Sequence, residues 1–488
     1  MASANHFDVL IVGGGLSGIG AAYNLQKNCP RKTFAILEAR GCVGGTWDLF
    51  RYPGVRSDSD MFTLGYSFRP WSAARAIADG GVILQYIRDT AAEFGIDAKL
   101  RFNHTVKCAI WSSAEALWSL DVQRGPESAP VRFTCNFLFV CSGYYNYTEG
   151  YIPVFPGRER FTGQILHPQV WPQNFNYAGK RIVVIGSGAT AITLVPELAR
   201  AAAHVTMLQR SPTYVMSRPH EDKLGNFLRR HLPKRSSFTL IRWRNILMGI
   251  YFFGLCKRSP QRVKQWLAAQ IQNALGPKYD VARHFAPRYD PWDQRMCLVP
   301  DGDLFAAINL GKASVVTDEI ETFTEGGIKL RSGASLDADI VITATGLNLV
   351  ALGGIELKVD GRNIDLAKTL SYKGTMYSGI PNLASVYGYT NASWTLKCEL
   401  TCGYICRLLN HMDKKGSRIC VPQNDDPSIS PQPWLNLNSG YIQRAADKLP
   451  KQGSKRPWKL HQNYVLDLIG LKLGPMEDGV MHFPHANH

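Results

Sequence analysis

The chain of 488 residues predicts an α/β protein built on two Rossmann-like domains with a helical insertion. Three observations carry this. Two glycine-rich turns each lie between an apolar strand and a helical pattern. Two further apolar strands stop at small-residue turns. A basic, helix-patterned segment separates the second glycine turn from the last of those strands. The length exceeds one ordinary core. With 45% hydrophobic and 19% charged residues, the chain is globular and not disordered.

The first unit is FDVLIVGGGLSGIGAAYNL, read as strand, turn and helix. Gly13, Gly15 and Gly18 match G-x-G-x-x-G in the strand-to-helix context this motif needs. Glycine permits the tight turn, close approach of backbone to a pyrophosphate and close helix–strand packing, and the helix N-terminus then faces the phosphates. The next strand, TFAILEAR, ends in Glu38, twenty residues after Gly18. A carboxylate there accepts hydrogen bonds from a ribose 2′-OH, so this unit is predicted to take an FAD- or NAD-like ligand.

The pattern recurs in KRIVVIGSGATAITLVPEL, with Gly186, Gly188 and Ala191. Here the following strand, HVTMLQRS, ends in Arg210. A guanidinium at that position suits a 2′-phosphate, which points to NADP(H). Ser17 and Thr190 belong to these turns and are assigned to cofactor binding with them.

The strands FLFVCSG (137–143) and ADIVITATG (338–346) stop at small-residue turns, where the chain passes from one nucleotide domain to the other. The predicted layout is an FAD-binding domain split over 1–150 and 347–488, and an NADP-binding domain over 151–215 and 292–346. A basic, mainly helical insertion occupies 216–291.

That insertion concentrates the charge. The whole chain carries +16, and residues 221–264 hold eleven basic against two acidic residues, a local net of +9. Within them ILMGIYFFGLC (246–256) is apolar and flanked by Arg and Lys-Arg. It is too short to span a bilayer but suits a membrane interface, which makes 240–258 a candidate peripheral contact. The competing readings are a core helix with a solvated basic face and a homo-oligomer contact. No nucleic-acid recognition module accompanies the charge, so nucleic acid is not a predicted partner. The N-terminus runs from a short apolar stretch into glycines and reads as a strand, with no signal peptide, and no run is long enough for a transmembrane helix. The eleven cysteines form no Cys-x-x-Cys pair, which argues for a reducing, cytoplasmic setting and against a disulfide framework or metal site. Cys398, Cys402 and Cys406 recur every fourth residue and are read as one buried helix face.

FAD and NADPH in one chain leave several chemistries open. A disulfide reductase would carry a redox cysteine pair after its GGT, but here Trp47 follows, and Cys42 has no partner at useful spacing. The remaining use is oxygen: NADPH reduces the flavin, which takes up O2 and passes one oxygen on by way of a flavin peroxide.

Two motifs then narrow the class. FTGQILHPQVWP matches F-x-G-x-x-x-H-x-x-x-W-[P/D] through Phe161, Gly163, His167, Trp171 and Pro172. Gly44, Gly45, Trp47, Tyr52, Pro53, Gly54 and Asp58 match [A/G]-G-x-W-x4-[F/Y]-P-[G/M]-x3-D. With these the chain resembles the type I Baeyer–Villiger monooxygenases. GGTWDLFRYPG, HVTMLQRSPTY, DPWDQRMCLVP and GYTNASWTLK are similar to their mycobacterial ethionamide-activating branch, a likeness that runs almost end to end.

The resemblance implies roles. Arg295 would stand beside the flavin and stabilise developing negative charge, with Asp58 orienting it; both are expected to be catalytic. Gly45, Thr46, Trp47, Asp58 and Val106 would contact cofactor. Gln294 stands where many relatives have a Lys that touches the 2′-phosphate, which puts more of the NADP selectivity on Arg210. His167 would couple the domains without touching substrate. Asn391 and Trp394 would line the substrate pocket, and Trp458 would sit on a mobile loop over NADP. Substrates would be ketones, giving esters or lactones, and sulfides or thioamides. The alternatives are a flavin N- or S-monooxygenase with little ketone activity and a membrane-surface NADPH oxidase.

Overall fold

A computed structural model describes residues 5–125 and 129–484. Its largest sheet has nine strands and grows from His6–Val12. Parallel partners flank this strand on both sides: Phe34–Leu37, in register Val9↔Phe34 to Val12↔Leu37, and Val131–Val140. Val9 to Val12 are all buried, which is why the strand reads as an unbroken apolar run. Farther out the pattern changes. Leu117–Arg124 and His104–Ser112 join antiparallel and alternate buried with half-exposed residues, as strands covered on one side do. Glu356–Val359 then adds to His104–Ser112, and Leu383–Ser385 to the end of Val131–Val140. One sheet therefore draws on strands from His6 to Val140 and again from Glu356 to Ser385.

A second sheet has five parallel strands in the order Ala313–Thr317, His204–Gln209, Arg181–Ile185, Ile340–Thr343, Gln164–Leu166. One face packs on helix Ala189–Leu198 through Ile182, Val184, Leu194 and Val195. The other packs on an antiparallel three-stranded layer, Ile320–Asp337, through Val183, Phe323 and Ile328. The chain crosses between the two large sheets twice. The crossings pair with each other as a short antiparallel ribbon of Tyr145–Gly150 and Leu347–Leu349.

The basic region folds mainly as helices Lys223–His231, Lys234–Arg258, Pro260–Leu275 and Val281–Phe285. It leaves and re-enters through the paired parallel strands Val215–Arg218 and Cys297–Pro300. Its 25-residue helix is fastened by buried Arg242, which donates to the carbonyls of Phe62 and Gly65 at 2.8 Å and to Glu399 at 2.7 Å. Among the described residues no helix is long and apolar enough to cross a membrane. Cys398, Cys402 and Cys406 are buried on one side of helix Trp394–Lys415, which packs on helix Leu16–Asn28. No cluster of His, Cys, Asp or Glu among the described residues could hold a metal ion.

Candidate active site

Parallel strands of both large sheets end at one cleft of about 1210 Å³. Val12, Leu37 and Cys141 bring the first sheet to it, and Ile185, Leu208 and Ala344 the second. Carboxyl ends of parallel strands are where doubly wound folds bind nucleotides.

The first glycine turn shows why it needs these residues. Gly13 adopts φ +106°, and a Cβ there would meet the carbonyl oxygen of Cys141 at 2.7 Å. At Gly18 a Cβ would fall on the carbonyl oxygen of Gly13, so the helix could not approach. The second turn repeats the geometry, with Gly186 at φ +135° against the carbonyl of Ala344. Behind the first turn, Glu38 is buried and accepts the Gly14 N–H at 2.6 Å and the Arg40 N–H at 2.8 Å. Burial pushes its carboxyl up; these N–H groups and the Arg40 charge oppose that. A buried carboxylate beside an open glycine turn fits a ribose, and bare backbone at the helix start fits a pyrophosphate.

Most residues singled out in the sequence meet at this cleft. Gly13, Gly15, Ser17, Glu38, Gly45, Thr46, Trp47 and Val106 line its first part. Gly186, Gly188, Thr190, Arg210 and Gln294 line its second. Gly18 and Ala191 lie just behind, packing helix on strand. Arg210 is exposed at the end of its strand and has no carboxylate partner among the described residues.

Between the two parts stand Arg295 and Asp58, with Nη2 to Oδ2 at 2.8 Å and to Oδ1 at 3.1 Å. Their side chains are 34% and 30% exposed, so the pair is partly buried. Asp58 holds the Arg295 proton far above its ordinary range, against the opposing effect of burial. Arg295 follows a tight turn in which Trp292 takes φ +68°, a left-handed conformation unusual for so large a side chain. Lys257 to Asp293 at 2.8 Å and Lys264 to Asp290 at 2.7 Å tie this turn to the helical insertion.

Trp394 lines the cleft and donates its Nε1–H to Ser17 Oγ at 2.7 Å. Asn391 does not line it; its Nδ2 donates to the carbonyl of Gln462 at 3.0 Å. Trp458 is a correction. It is fully buried, with its ring 5.7 Å from that of Tyr372, and it belongs to the core, not to a loop over the cleft.

The FTGQILHPQVWP stretch lies outside the cleft lining. Phe161 packs on Phe323, and Gly163 sits where a Cβ would meet the Asp339 carbonyl and the Phe161 ring, both at 2.5 Å. Trp171 meets Phe175 edge-on at 5.7 Å. His167 touches both crossings. Its ring occupies the space where a Cβ of Gly150 would point, and Nε2 lies 3.2 Å from the Gly346 carbonyl. Nδ1 accepts the Gln169 N–H at 3.2 Å, which leaves Nε2–H as the donor to Gly346 in a neutral ring. Burial keeps its pKa below the usual value.

Sequence reasoning missed several groups here. Tyr144, Tyr145 and Tyr441 lie close enough to Arg295 to act on its charge, and burial pushes the Tyr441 hydroxyl up to about 12. The first two follow the CSG turn and could have been suspected from that position; Tyr441 carried no signal. Asp48 is also buried beside the GGT turn. Its carboxylate takes Arg40 at 2.6 Å, Arg51 at 3.0 Å and the Cys42 thiol at 3.0 Å. Burial opposes its charge, yet these partners hold its pKa below the usual range.

Known proteins are similar to this chain in sequence and fold. The family described as "Flavin-binding monooxygenase-like" matches residues 77–353, and "NAD(P)-binding Rossmann-like domain" matches residues 11–76. The chain is 53% identical over 480 residues to the FAD-containing monooxygenase EthA of Mycobacterium tuberculosis, covering 98% of each. It is 51% identical over 479 residues to EthA of Mycolicibacterium smegmatis, covering 98% of this chain and 97% of that one. In fold it is similar to an oxidized steroid monooxygenase bound to NADP, with TM-score 0.71 and 24% identity over 86% of this chain and 88% of the other.

Proposed function

Because the chain belongs to the flavin-binding monooxygenase-like family, and within it to the EthA-like FAD-containing monooxygenases, we propose that it is an NADPH-dependent Baeyer–Villiger enzyme. It converts a ketone, O2, NADPH and H⁺ to an ester or lactone, NADP⁺ and water, and it also oxygenates sulfides or thioamides. The observation that carries this reading is the Arg295–Asp58 pair standing between two glycine turns of opposite ribose chemistry in one cleft.

When bound, NADPH supplies hydride and the flavin supplies the means to activate O2. The protein's own groups do the rest. Gly13, Gly15, Gly18, Ser17 and Glu38 hold FAD, with Gly45, Thr46, Trp47 and Val106. Gly186, Gly188, Thr190, Ala191, Gln294 and Arg210 hold NADP(H). Arg295 keeps a fixed positive charge where negative charge develops, and Asp58 orients it without a proton transfer. Tyr144, Tyr441 and Trp394 wall the cleft with apolar surface that excludes water. His167 links the two crossings and takes no part in the chemistry. The domain division at 1–150 with 347–488, 151–215 with 292–346, and 216–291 belongs to the same reading, supported by the sheet that draws on both ends of the chain.

The test uses the purified flavoprotein with NADPH, supplied an aryl ketone and a sulfide side by side. The Arg295→Ala variant is expected to keep NADPH-driven flavin reduction and lose ester formation. Ester formation retained in that variant refutes the assignment.

A further inference from the structure

Helix Lys234–Arg258 is apolar on two opposite faces. Phe238, Ile241 and Ile246 are buried inward. Leu240, Leu247 and Tyr251 are 53%, 53% and 72% exposed. At 3.6 residues per turn, spacings of seven and four put these three on one line along the helix, with Trp243 and Met248, both also exposed, to either side. Arg258 is five turns from Leu240 on the same line. A surface helix in water ordinarily turns a polar face outward, and an exposed apolar ridge of this kind marks an interaction surface.

The ridge continues sideways. Trp243 meets Tyr464 edge-on at 5.7 Å. Tyr464 opens a short C-terminal helical segment that carries exposed Leu466, Ile469 and Leu473.

Charge identifies what covers the ridge. Lys234 and Arg235 flank one end of it and Arg258 and Arg262 the other; Lys223 and Arg230 lie on the preceding helix. All six are exposed, and none has a carboxylate partner among the described residues. The acidic groups facing them are few. Of the acidic residues from 221 to 293, Asp222 is taken by Arg244, Asp293 by Lys257 and Asp290 by Lys264, which leaves Glu221 and Asp280. A second copy of this face would set these cations against each other. An anionic lipid surface satisfies both features at once, because it accepts apolar side chains below its headgroups and cations among them.

We propose that this ridge docks the protein on anionic lipid surfaces, with Leu240, Leu247 and Tyr251 entering the interface and the six basic residues meeting the headgroups. The same helix backs onto the cleft wall: Ile246 and Ile250 pack on Tyr389 and Leu396, and Tyr389 lines the cleft.

The test is cosedimentation of the flavin-loaded full chain with vesicles of phosphatidylcholine alone or mixed with phosphatidylglycerol. Binding is expected on the mixed vesicles only, and to weaken as salt rises from about 0.1 M to about 1 M. Leu247→Glu with Tyr251→Glu should weaken it roughly tenfold or more, while Tyr251→Phe keeps it. Arg235→Glu with Arg258→Glu should weaken it at low salt and match the parent at high salt. Flavin absorbance and melting temperature report that each variant is folded. Equal binding to both vesicle types, no binding, or a ridge variant that binds like the parent overturns the proposal. So does sedimentation showing that the ridge variants break a dimer while vesicle binding is absent.

Discussion

Replacing Asp58 by Asn removes one charge from the cleft and keeps the side chain's shape. Two unit charges about 4 Å apart attract by roughly 4 kcal/mol at an effective dielectric constant near 20, and exposed pairs measure about 0–1 kcal/mol. With 34% and 30% exposure the Arg295–Asp58 pair lies between these limits, so about 1–2 kcal/mol is the discounted figure. Asn still accepts the Nη2–H, so the loss is one of orientation and charge. If Arg295 works as proposed, product formation should fall about 5- to 30-fold, a factor of ten being 1.4 kcal/mol. Flavin reduction by NADPH should change much less. The assay is product formed per NADPH oxidised, in the parent, Asp58→Asn, Arg295→Ala and the double variant. Coupling predicts that the double variant is no worse than Arg295→Ala alone. Strict additivity, or an Asp58→Asn variant as productive as the parent, refutes the reasoning.

Three further outcomes are expected. Gly18→Ala places a methyl group on the Gly13 carbonyl; purified protein should lose bound FAD, measured as the flavin-to-protein absorbance ratio, and melt several degrees lower. Arg210→Ala should raise the KM for NADPH about 10- to 100-fold, from loss of a charge-assisted phosphate contact of roughly 1.5–3 kcal/mol, and leave that for NADH nearly unchanged. His167 has its folded pKa below the unfolded value. The unfolded state therefore takes up the proton first as pH falls through about 6.5. Stability should drop from there down to the folded pKa and then level. His167→Asn should flatten that part of a melting-temperature profile between pH 8 and 5, whereas an unchanged slope would assign it to other groups.

Legibility followed range along the chain. The α/β class, both glycine turns and the positions of Glu38 and Arg210 just past their strands could be read directly, because each depends on a few consecutive residues: a strand that must end, a turn no Cβ can enter, a charge at the next strand's tip. The buried Cys398–Cys402–Cys406 face was equally plain from helical spacing. Residues whose surroundings come from elsewhere were not. Asn391 sits three residues from Trp394, yet one turns to Gln462 and the other to the cleft. Trp458 sits among polar and basic neighbours in sequence and is fully buried. Tyr441 belongs beside Arg295 only because the C-terminal segment folds back, with the Asn438 N–H donating to the Asp293 carbonyl at 2.7 Å.

By itself the sequence determined that two strand–turn–helix units exist, one followed by a carboxylate and the other by a guanidinium, since backbone sterics and a single side-chain charge act locally. Only the tertiary structure decided that they open onto one cleft, that Arg295 meets Asp58 between them, and that His167 lies on both crossings. It also decided that a helix already buried on one face keeps an apolar ridge on the other. These depend on which distant surfaces exclude water from each other, and packing decides that for the chain as a whole.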